Sequence, residues 1–328
     1  MVVDKRLRKR LIFGVKVFIV LAVAWWLGWE LYKSWDNLHE IEWKPNYFWL
    51  TLSGVLYVVA YVPSCVFWFF SMRSLGQRPG LYETFRAYSI GHLGKYVPGK
   101  AMVVVLRSGL LDHTKTRASI AAAAVFLETL TMMAAGAFLS AVIAIVWFRN
   151  TPHGNQLSLI ALGMMLVSGL PIIPPIFRNI ALRLGVGRSD PEIDAKLRGL
   201  TVKTLAVGWM LATLTWIVLG LCLWASIRGI GIESGPLLEH LPQFVLAAAL
   251  SVVVGFVLMI PGGAGVREFV LAAVLISYFA GLSEEIAVNA ALWAIIVAAV
   301  QRIVSIFTEL FVSACFVVGR RRKSRNTD

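Results

Sequence analysis

The composition of this 328-residue chain is that of an integral membrane protein. Hydrophobic residues make up 58% and charged residues 15%, against about 25% charged in ordinary soluble domains, and the mean hydropathy is +0.75. A soluble protein of this length cannot bury that much apolar surface, which excludes a soluble enzyme. The net charge of +13 is better explained by basic residues at membrane ends than by nucleic-acid binding.

Six apolar runs are long enough to cross a bilayer as helices, which needs about 20 residues. These runs are Leu11–Tyr32, Tyr47–Ser71, Ser119–Phe148, Leu157–Phe177, Leu205–Ile227 and Ile286–Val318. Two further apolar stretches are broken: Tyr82–Leu111 at Pro98-Gly99, and Phe244–Ala280 at Pro261-Gly262-Gly263. Pro171, Pro174 and Pro175 are expected to kink or end the fourth run.

The predicted fold is an all-α, polytopic helical bundle forming a single transmembrane domain over 1–328. If Phe244–Ile260 and Phe269–Ala280 both cross, the chain has eight spans, although the second piece is short. If both broken stretches are re-entrant hairpins, it has six long spans and two hairpins. The halves 1–150 and 151–328 would then form an inverted-topology repeat, a common transporter plan.

The distribution of basic residues predicts the orientation. Five Lys or Arg lie in the first ten residues, eight in Met72–Arg117, six in Arg178–Lys203 and five after Val318, whereas the alternate connections carry four in total. Because basic loops stay in the cytoplasm, both termini are predicted to be cytoplasmic in a multi-pass protein of the cell (inner) membrane.

The first break contains Gly94, Lys95, Pro98, Gly99 and Lys100, which nearly match a phosphate-binding loop. Ala101 replaces the magnesium-binding hydroxyl and Pro98 removes a backbone N–H, so an ATPase is not predicted. The open backbone and the start of a helix after Pro98 still favour an anion site for a lipid phosphate. The basic residues of this stretch that could bind the phosphate are Arg86, Lys95, Lys100 and Arg107. The alternative is an ordinary cytoplasmic turn.

The second break contains Pro261, Gly262, Gly263 and Gly265, followed by Arg267 and Glu268. Three glycines in four positions do not form a stable helix. A charge at mid-membrane is costly and is expected to face a cavity or a partner. We therefore predict a substrate-binding role for this segment, the alternative being a solvated loop at the membrane surface.

Glu128, Arg302 and Glu309 are charged residues inside apolar runs. Each is expected to meet a partner on another helix or to line a wet cavity, and Arg302 with Glu128 is one candidate pair. A proton relay and a structural ion pair both stay open. The three cysteines and five histidines have no disulfide, zinc or metal spacing, so no metal, cofactor or catalytic residue is predicted.

The paired motifs Gly94-Lys95-Tyr96-Val97-Pro98-Gly99-Lys100 and Pro261-Gly262-Gly263-Ala264-Gly265-Val266-Arg267-Glu268 resemble the lysylphosphatidylglycerol synthase transmembrane-region family, whose members are often called flippase-like. The resemblance covers nearly the whole chain. In bifunctional relatives this region moves an aminoacylated phospholipid between leaflets, and a soluble domain synthesises that lipid. Only ten residues follow Val318 here, so the resemblance does not imply lipid synthesis.

Residues and resemblance together predict a protein that translocates an amphipathic lipid with an anionic phosphate head group and is not driven by ATP. Membrane lipids are the expected partners. A homo-oligomer and association with a lipid-modifying enzyme both stay open. The alternatives are a membrane-embedded transferase acting on a polyprenyl-phosphate or phospholipid, and a non-transporting partner subunit of a lipid-modifying enzyme.

Overall fold

The computed structural model describes residues 25, 29, 32, 44–97, 101–111, 116–147, 154–183 and 200–325, and within them the regular structure is entirely helical. Most of the first predicted run, Leu11–Tyr32, and the residues Pro98, Gly99 and Lys100 lie outside these ranges. The predicted all-α membrane bundle is confirmed.

The helices that the structure describes from residue 44 onwards are numbered here in chain order. They are α1 (Tyr47–Ser74), α2 (Leu81–His92), α3 (Ala101–Gly109), α4 (Ala118–Trp147), α5 (Gly154–Gly169), α6 (Pro174–Arg183), α7 (Val202–Gly229), α8 (Leu237–Val257), α9 (Val266–Ala280), α10 (Glu284–Val288) and α11 (Ala290–Arg325). Short 3₁₀ turns occur at Leu93–Tyr96, Leu170–Ile172 and Pro261–Gly263.

Six segments within the described residues are long and apolar enough to cross a membrane. They are Tyr47–Ser74, Ala118–Val146, Val202–Gly229, Leu237–Val257, Pro261–Ala280 and Ala290–Val318. Four of them correspond to predicted runs, and the other two come from the second broken stretch. The helix after that break starts at Val266 rather than at Phe269, so it is three residues longer than the predicted piece Phe269–Ala280.

The predicted run Leu157–Phe177 is not one straight helix. Helix α5 ends at Gly169, a 3₁₀ turn contains Pro171, and α6 starts at Pro174. Proline has no N–H to donate and clashes with the preceding turn, so this break is the one that the prolines predict.

Side-chain caps define the start of two long helices. The Asn46 side chain accepts hydrogen bonds from the backbone N–H groups of Phe48 and Trp49 at the start of α1. The Thr201 hydroxyl accepts one from the N–H of Thr204 at the start of α7. Both caps satisfy N–H groups that the first helical turn leaves unpaired.

The bundle is held together by close helix packing around small residues. Helix α1 packs along α7, and α4 packs against α1, α7 and α8. The alanines of Ala247–Ala249 are buried, as are Ala121 and Ala124 on α4. Small side chains let helix backbones approach closely, which is a main source of helix association in lipid.

The two broken stretches meet inside this bundle. The turn Leu93–Tyr96, between α2 and α3, contacts the turn Pro261–Gly263, between α8 and α9. Helix α11 packs against α1, α2 and α9, so it lies beside both breaks. Each half of the chain therefore contributes one short 3₁₀ turn to the same place.

Candidate functional site

The second turn owes its shape to glycine. Gly262, Gly263 and Gly265 have φ angles of 59°, 67° and 80°, in the left-handed region that other residues rarely adopt. A Cβ on Gly262 would lie 3.0 Å from both the Tyr96 ring and the Arg302 guanidinium. The absence of a side chain there lets the second turn approach the first.

The first turn is held by another close backbone contact. A Cβ on Gly94 would lie 2.7 Å from the Val103 nitrogen and 2.8 Å from the Met102 carbonyl carbon. The turn therefore packs directly on the start of α3. This packing positions Lys95 and Tyr96 next to α11.

Glu309 on α11 is the centre of the polar cluster and is 2% exposed. Its Oε1 accepts hydrogen bonds from the Tyr57 hydroxyl at 2.5 Å, the Tyr61 hydroxyl at 2.8 Å and the Lys95 Nζ at 2.5 Å. Its Oε2 is also buried and has no hydrogen-bond partner among the described residues. A buried carboxylate with an open oxygen marks a polar position that is not fully satisfied by the protein.

Lys95 and His92 lie outside the six candidate spans and contact each other, with 3.0 Å between Lys95 Nζ and His92 Nε2. Burial lowers the pKa of Lys95 to about 8, and the Glu309 carboxylate opposes that shift. Burial and the nearby Lys95 charge lower the pKa of His92 well below its ordinary value. Both side chains are 21% exposed, so neither is fully enclosed by the helices.

Glu128 does not pair with Arg302, which corrects that candidate pairing. It accepts from Arg107 Nη1 at 2.9 Å and from the Tyr88 hydroxyl at 3.1 Å. The Arg107 guanidinium also lies over the Tyr88 ring, 3.8 Å from its centroid. Arg107 lies on α3 between the α2 and α4 side chains, too far along the chain from Glu128 for sequence spacing to reveal the pair.

Arg302 pairs with Glu268 instead, with 3.4 Å between Nε and Oε1. Its Nη1 donates to the Gly262 carbonyl at 2.9 Å, and its guanidinium lies 5.4 Å from the centre of the Tyr96 ring. Glu268 also accepts from the Gly265 N–H at 2.7 Å, which caps α9. These contacts connect α11 to the second turn.

Arg267 is half-buried and, among the residues that the structure describes, no hydrogen bond or ion pair to its guanidinium is seen. Its charge interacts with the carboxylates of Glu309 and Glu268, which places it beside the same polar cluster. An arginine has five N–H donors, so this guanidinium retains capacity to bind an anion.

The structure thus brings together most of the predicted site residues. Lys95, Arg267, Glu268, Arg302, Glu309 and the glycine turn form one cluster, and Arg107 with Glu128 connects to it through His92, whose Nδ1 is 3.3 Å from Arg107 Nη2. Arg86 pairs with Glu83 on its own helix at 3.0 Å. Pro98, Gly99 and Lys100 lie outside the described residues.

Sequence reasoning missed the residues that surround these charges: Tyr57, Tyr61, Tyr88, His92 and Tyr96. Tyr57 and Tyr61 are four apart on α1 and share one helix face, and Tyr88 and His92 are four apart on α2. The feature of the sequence that could have identified them is the spacing of polar aromatic residues, four apart, inside apolar helices.

The lysylphosphatidylglycerol synthase transmembrane-region family model matches residues 13–318. The chain belongs to this family. The match covers both broken stretches and every helix in the described region that contributes to the cluster, and it indicates a membrane protein that handles lipids. None of the curated proteins matches the chain.

Proposed function

We propose that this member of the family moves an amphipathic lipid with an anionic phosphate head group between membrane leaflets, without nucleotide hydrolysis. Its setting would be the cell (inner) membrane, with both termini in the cytoplasm. Family membership supports a lipid substrate, and the excess of basic residues in alternate connections supports the orientation.

The guanidinium of Arg267, which has no hydrogen bond or ion pair among the described residues, lies beside two 3₁₀ turns in an apolar bundle, and this geometry is the main support for an anionic substrate. The turns that converge there come from different halves of the chain, as in transporters whose substrate site lies between two repeats. A half-buried cation without a hydrogen-bonded protein partner among the described residues favours an anionic ligand.

Charge at the site fits a phosphate better than a neutral head group. Arg267 would make the first contact, because Arg302 and Lys95 already contact Glu268 and Glu309. One guanidinium group can bind two phosphate oxygens through two parallel hydrogen bonds. The acyl chains could stay in the membrane while the head group crosses through the polar cluster.

The shape of the first break supports a re-entrant arrangement. Helices α2 and α3 have 12 and 9 residues, which corresponds to about 18 and 14 Å at 1.5 Å per residue. Neither reaches across a hydrocarbon core of about 30 Å. We propose that this hairpin enters and leaves on the cytoplasmic side and that its turn meets the second turn inside the bundle.

The test uses purified protein in phosphatidylcholine vesicles with a trace of NBD-labelled phosphatidylglycerol. External dithionite reports how fast the labelled lipid reaches the outer leaflet. Arg267→Gln removes a charge-assisted contact worth about 1.5–3 kcal/mol, so the initial rate should fall by about tenfold or more. Lys203→Gln, on the exposed first turn of α7, is the control and should keep the unmutated rate.

Equal rates for Arg267→Gln and the unmutated protein would contradict the proposed site. Mass spectrometry of the vesicle lipids addresses the rival function. A chemically altered phospholipid or polyprenyl phosphate after incubation would favour a transferase, and unaltered lipid that changes leaflet favours translocation.

A further inference from the structure

The contacts of His92 restrict where protons can be in the cluster. A guanidinium can only donate, so Arg107 Nη2, 3.3 Å away, requires a lone pair on His92 Nδ1. A neutral imidazole carries one proton, which must then be on Nε2. That N–H faces Lys95 Nζ at 3.0 Å.

The N–H on Nε2 needs an acceptor, and an ammonium group has none. Lys95 can accept it only as a neutral amine, which still has hydrogens to donate to Glu309. The observed arrangement of these three side chains is therefore satisfied when Lys95 lacks its extra proton. While Arg107 keeps Nδ1 as an acceptor, adding that proton brings two donors face to face, so the His92–Lys95 contact opens.

The charges of the cluster balance in the form with neutral Lys95. Three guanidinium groups then face three carboxylates among the described residues of the cluster: Arg107, Arg267 and Arg302 with Glu128, Glu268 and Glu309. One added proton leaves the cluster with a single net positive charge. A phosphodiester lipid carries a single negative charge, so the proton and the head group compensate each other.

We propose that the site binds one proton together with each anionic phosphodiester head group, and that the proton is bound by the His92–Lys95 pair. This inference rests on the proposed function and adds a driving force to it. Proton uptake frees the Lys95 ammonium from His92 and directs it toward the phosphate. When the lipid leaves, Lys95 also releases the proton to the solution on that side, and the His92–Lys95 contact forms again.

The surroundings of the pair are suited to such an exchange. Among the described residues, the titratable or charged groups that face it from the elements packed around it are Tyr57 and Tyr61 on α1, Tyr88 on α2, Tyr96 in the first turn, Arg107 on α3, Glu128 on α4, Arg267 on α9, and Arg302 and Glu309 on α11. The lowered pKa of Lys95, about 8, makes both of its protonation states accessible near neutral pH.

The experiment reads the final distribution of NBD-labelled phosphatidylglycerol between leaflets when the vesicle lumen and the outside differ in pH near neutrality. With one proton per lipid, the labelled lipid accumulates in the leaflet that faces the more alkaline side. A difference of about one pH unit gives an accumulation of up to about tenfold. Protein-free vesicles under the same pH step give the background.

His92→Gln replaces the ring N–H that favours neutral Lys95 with an amide whose oxygen can accept from the Lys95 ammonium. Lys95→Arg stays charged at all relevant pH values. Either variant should bring the leaflet ratio back to one, and the ratio rather than the rate is compared. His240→Gln is the matched control, because its ring contacts Phe244 and Tyr278 outside the cluster, and it should keep the accumulation.

An unmutated protein that equilibrates the lipid to equal amounts despite the pH step would overturn the proton coupling and leave the translocation function standing. An unmutated protein that moves no lipid would overturn both. Accumulation that survives in Lys95→Arg would overturn the assignment to this pair, and that variant also decides the question if His92→Gln does not fold.

Discussion

Gly94 illustrates how one missing side chain positions a site. Gly94→Ala would place a methyl group within 3 Å of the α3 backbone at Met102 and Val103. Because backbone cannot move aside as a flexible side chain can, we expect a loss of about 1–3 kcal/mol in the free energy of unfolding. Thermal unfolding in detergent measures it.

Gly109 is the matched control for that substitution. A Cβ at Gly109 on α3 would meet nothing within 4 Å, and alanine is favoured over glycine in helices. Gly109→Ala should therefore leave the melting temperature unchanged or raise it. Equal destabilisation by both substitutions would show that the contact of Gly94 with α3 is not what matters.

Glu128 lies in a buried pair whose loss should be costly. Both Glu128 and Arg107 are 2% exposed, so Glu128→Gln leaves a buried guanidinium without its counter-charge. Removing one partner of a buried pair costs about 3–5 kcal/mol, and the variant should melt well below the unmutated protein. Glu285 is exposed on α10, so the control variant Glu285→Gln should melt at the same temperature as the unmutated protein.

Helices α1, α7 and α11 are joined by a second polar group that is separate from the charged cluster. Ser226 donates to Gln301 Oε1 at 2.6 Å and also contacts Ser53 Oγ at 2.8 Å. Gln301 Nε2 lies 3.3 Å from Cys222 Sγ. Such contacts satisfy polar groups inside a bundle and stabilise helix association in lipid.

Gln301→Leu tests whether this group is structural. Interhelical hydrogen bonds in membranes average about 0.6 kcal/mol and reach about 1.7, so we expect a modest drop in melting temperature and an unchanged rate of lipid movement. Gln243→Leu is the control, because its hydrogen bond to Ser277 is exposed. If Gln301→Leu lowered the rate of lipid movement as much as Arg267→Gln does, a purely structural role would be contradicted.

The orientation of the whole molecule can be tested with single cysteines. In a background without Cys65, Cys222 and Cys315, a membrane-impermeant reagent added outside cells should label Gly281→Cys but not Arg78→Cys. Both positions are exposed, and they precede α10 and α2 on opposite predicted sides. Labelling of Arg78→Cys from outside would overturn the predicted orientation.

The sequence by itself determined the class of the protein and the places where its helices break. Hydropathy and length predict membrane helices because lipid requires long apolar segments with internally satisfied backbones. Proline and glycine predict the breaks at Pro171, Pro261 and Gly262 because they remove a donor or favour left-handed backbone. The motifs also identified Lys95, Arg267 and Glu268 as candidate site residues.

Only the tertiary structure decided which charges meet. Spacing along one helix relates residues three or four apart, whereas Glu309 meets Lys95 across 214 positions and Tyr57 across 252. The exchange of partners, Glu128 with Arg107 and Arg302 with Glu268, follows from how α3, α4, α9 and α11 pack. Helix packing depends on three-dimensional shape. The partners can therefore be identified only when the structure brings the turns Leu93–Tyr96 and Pro261–Gly263 into contact.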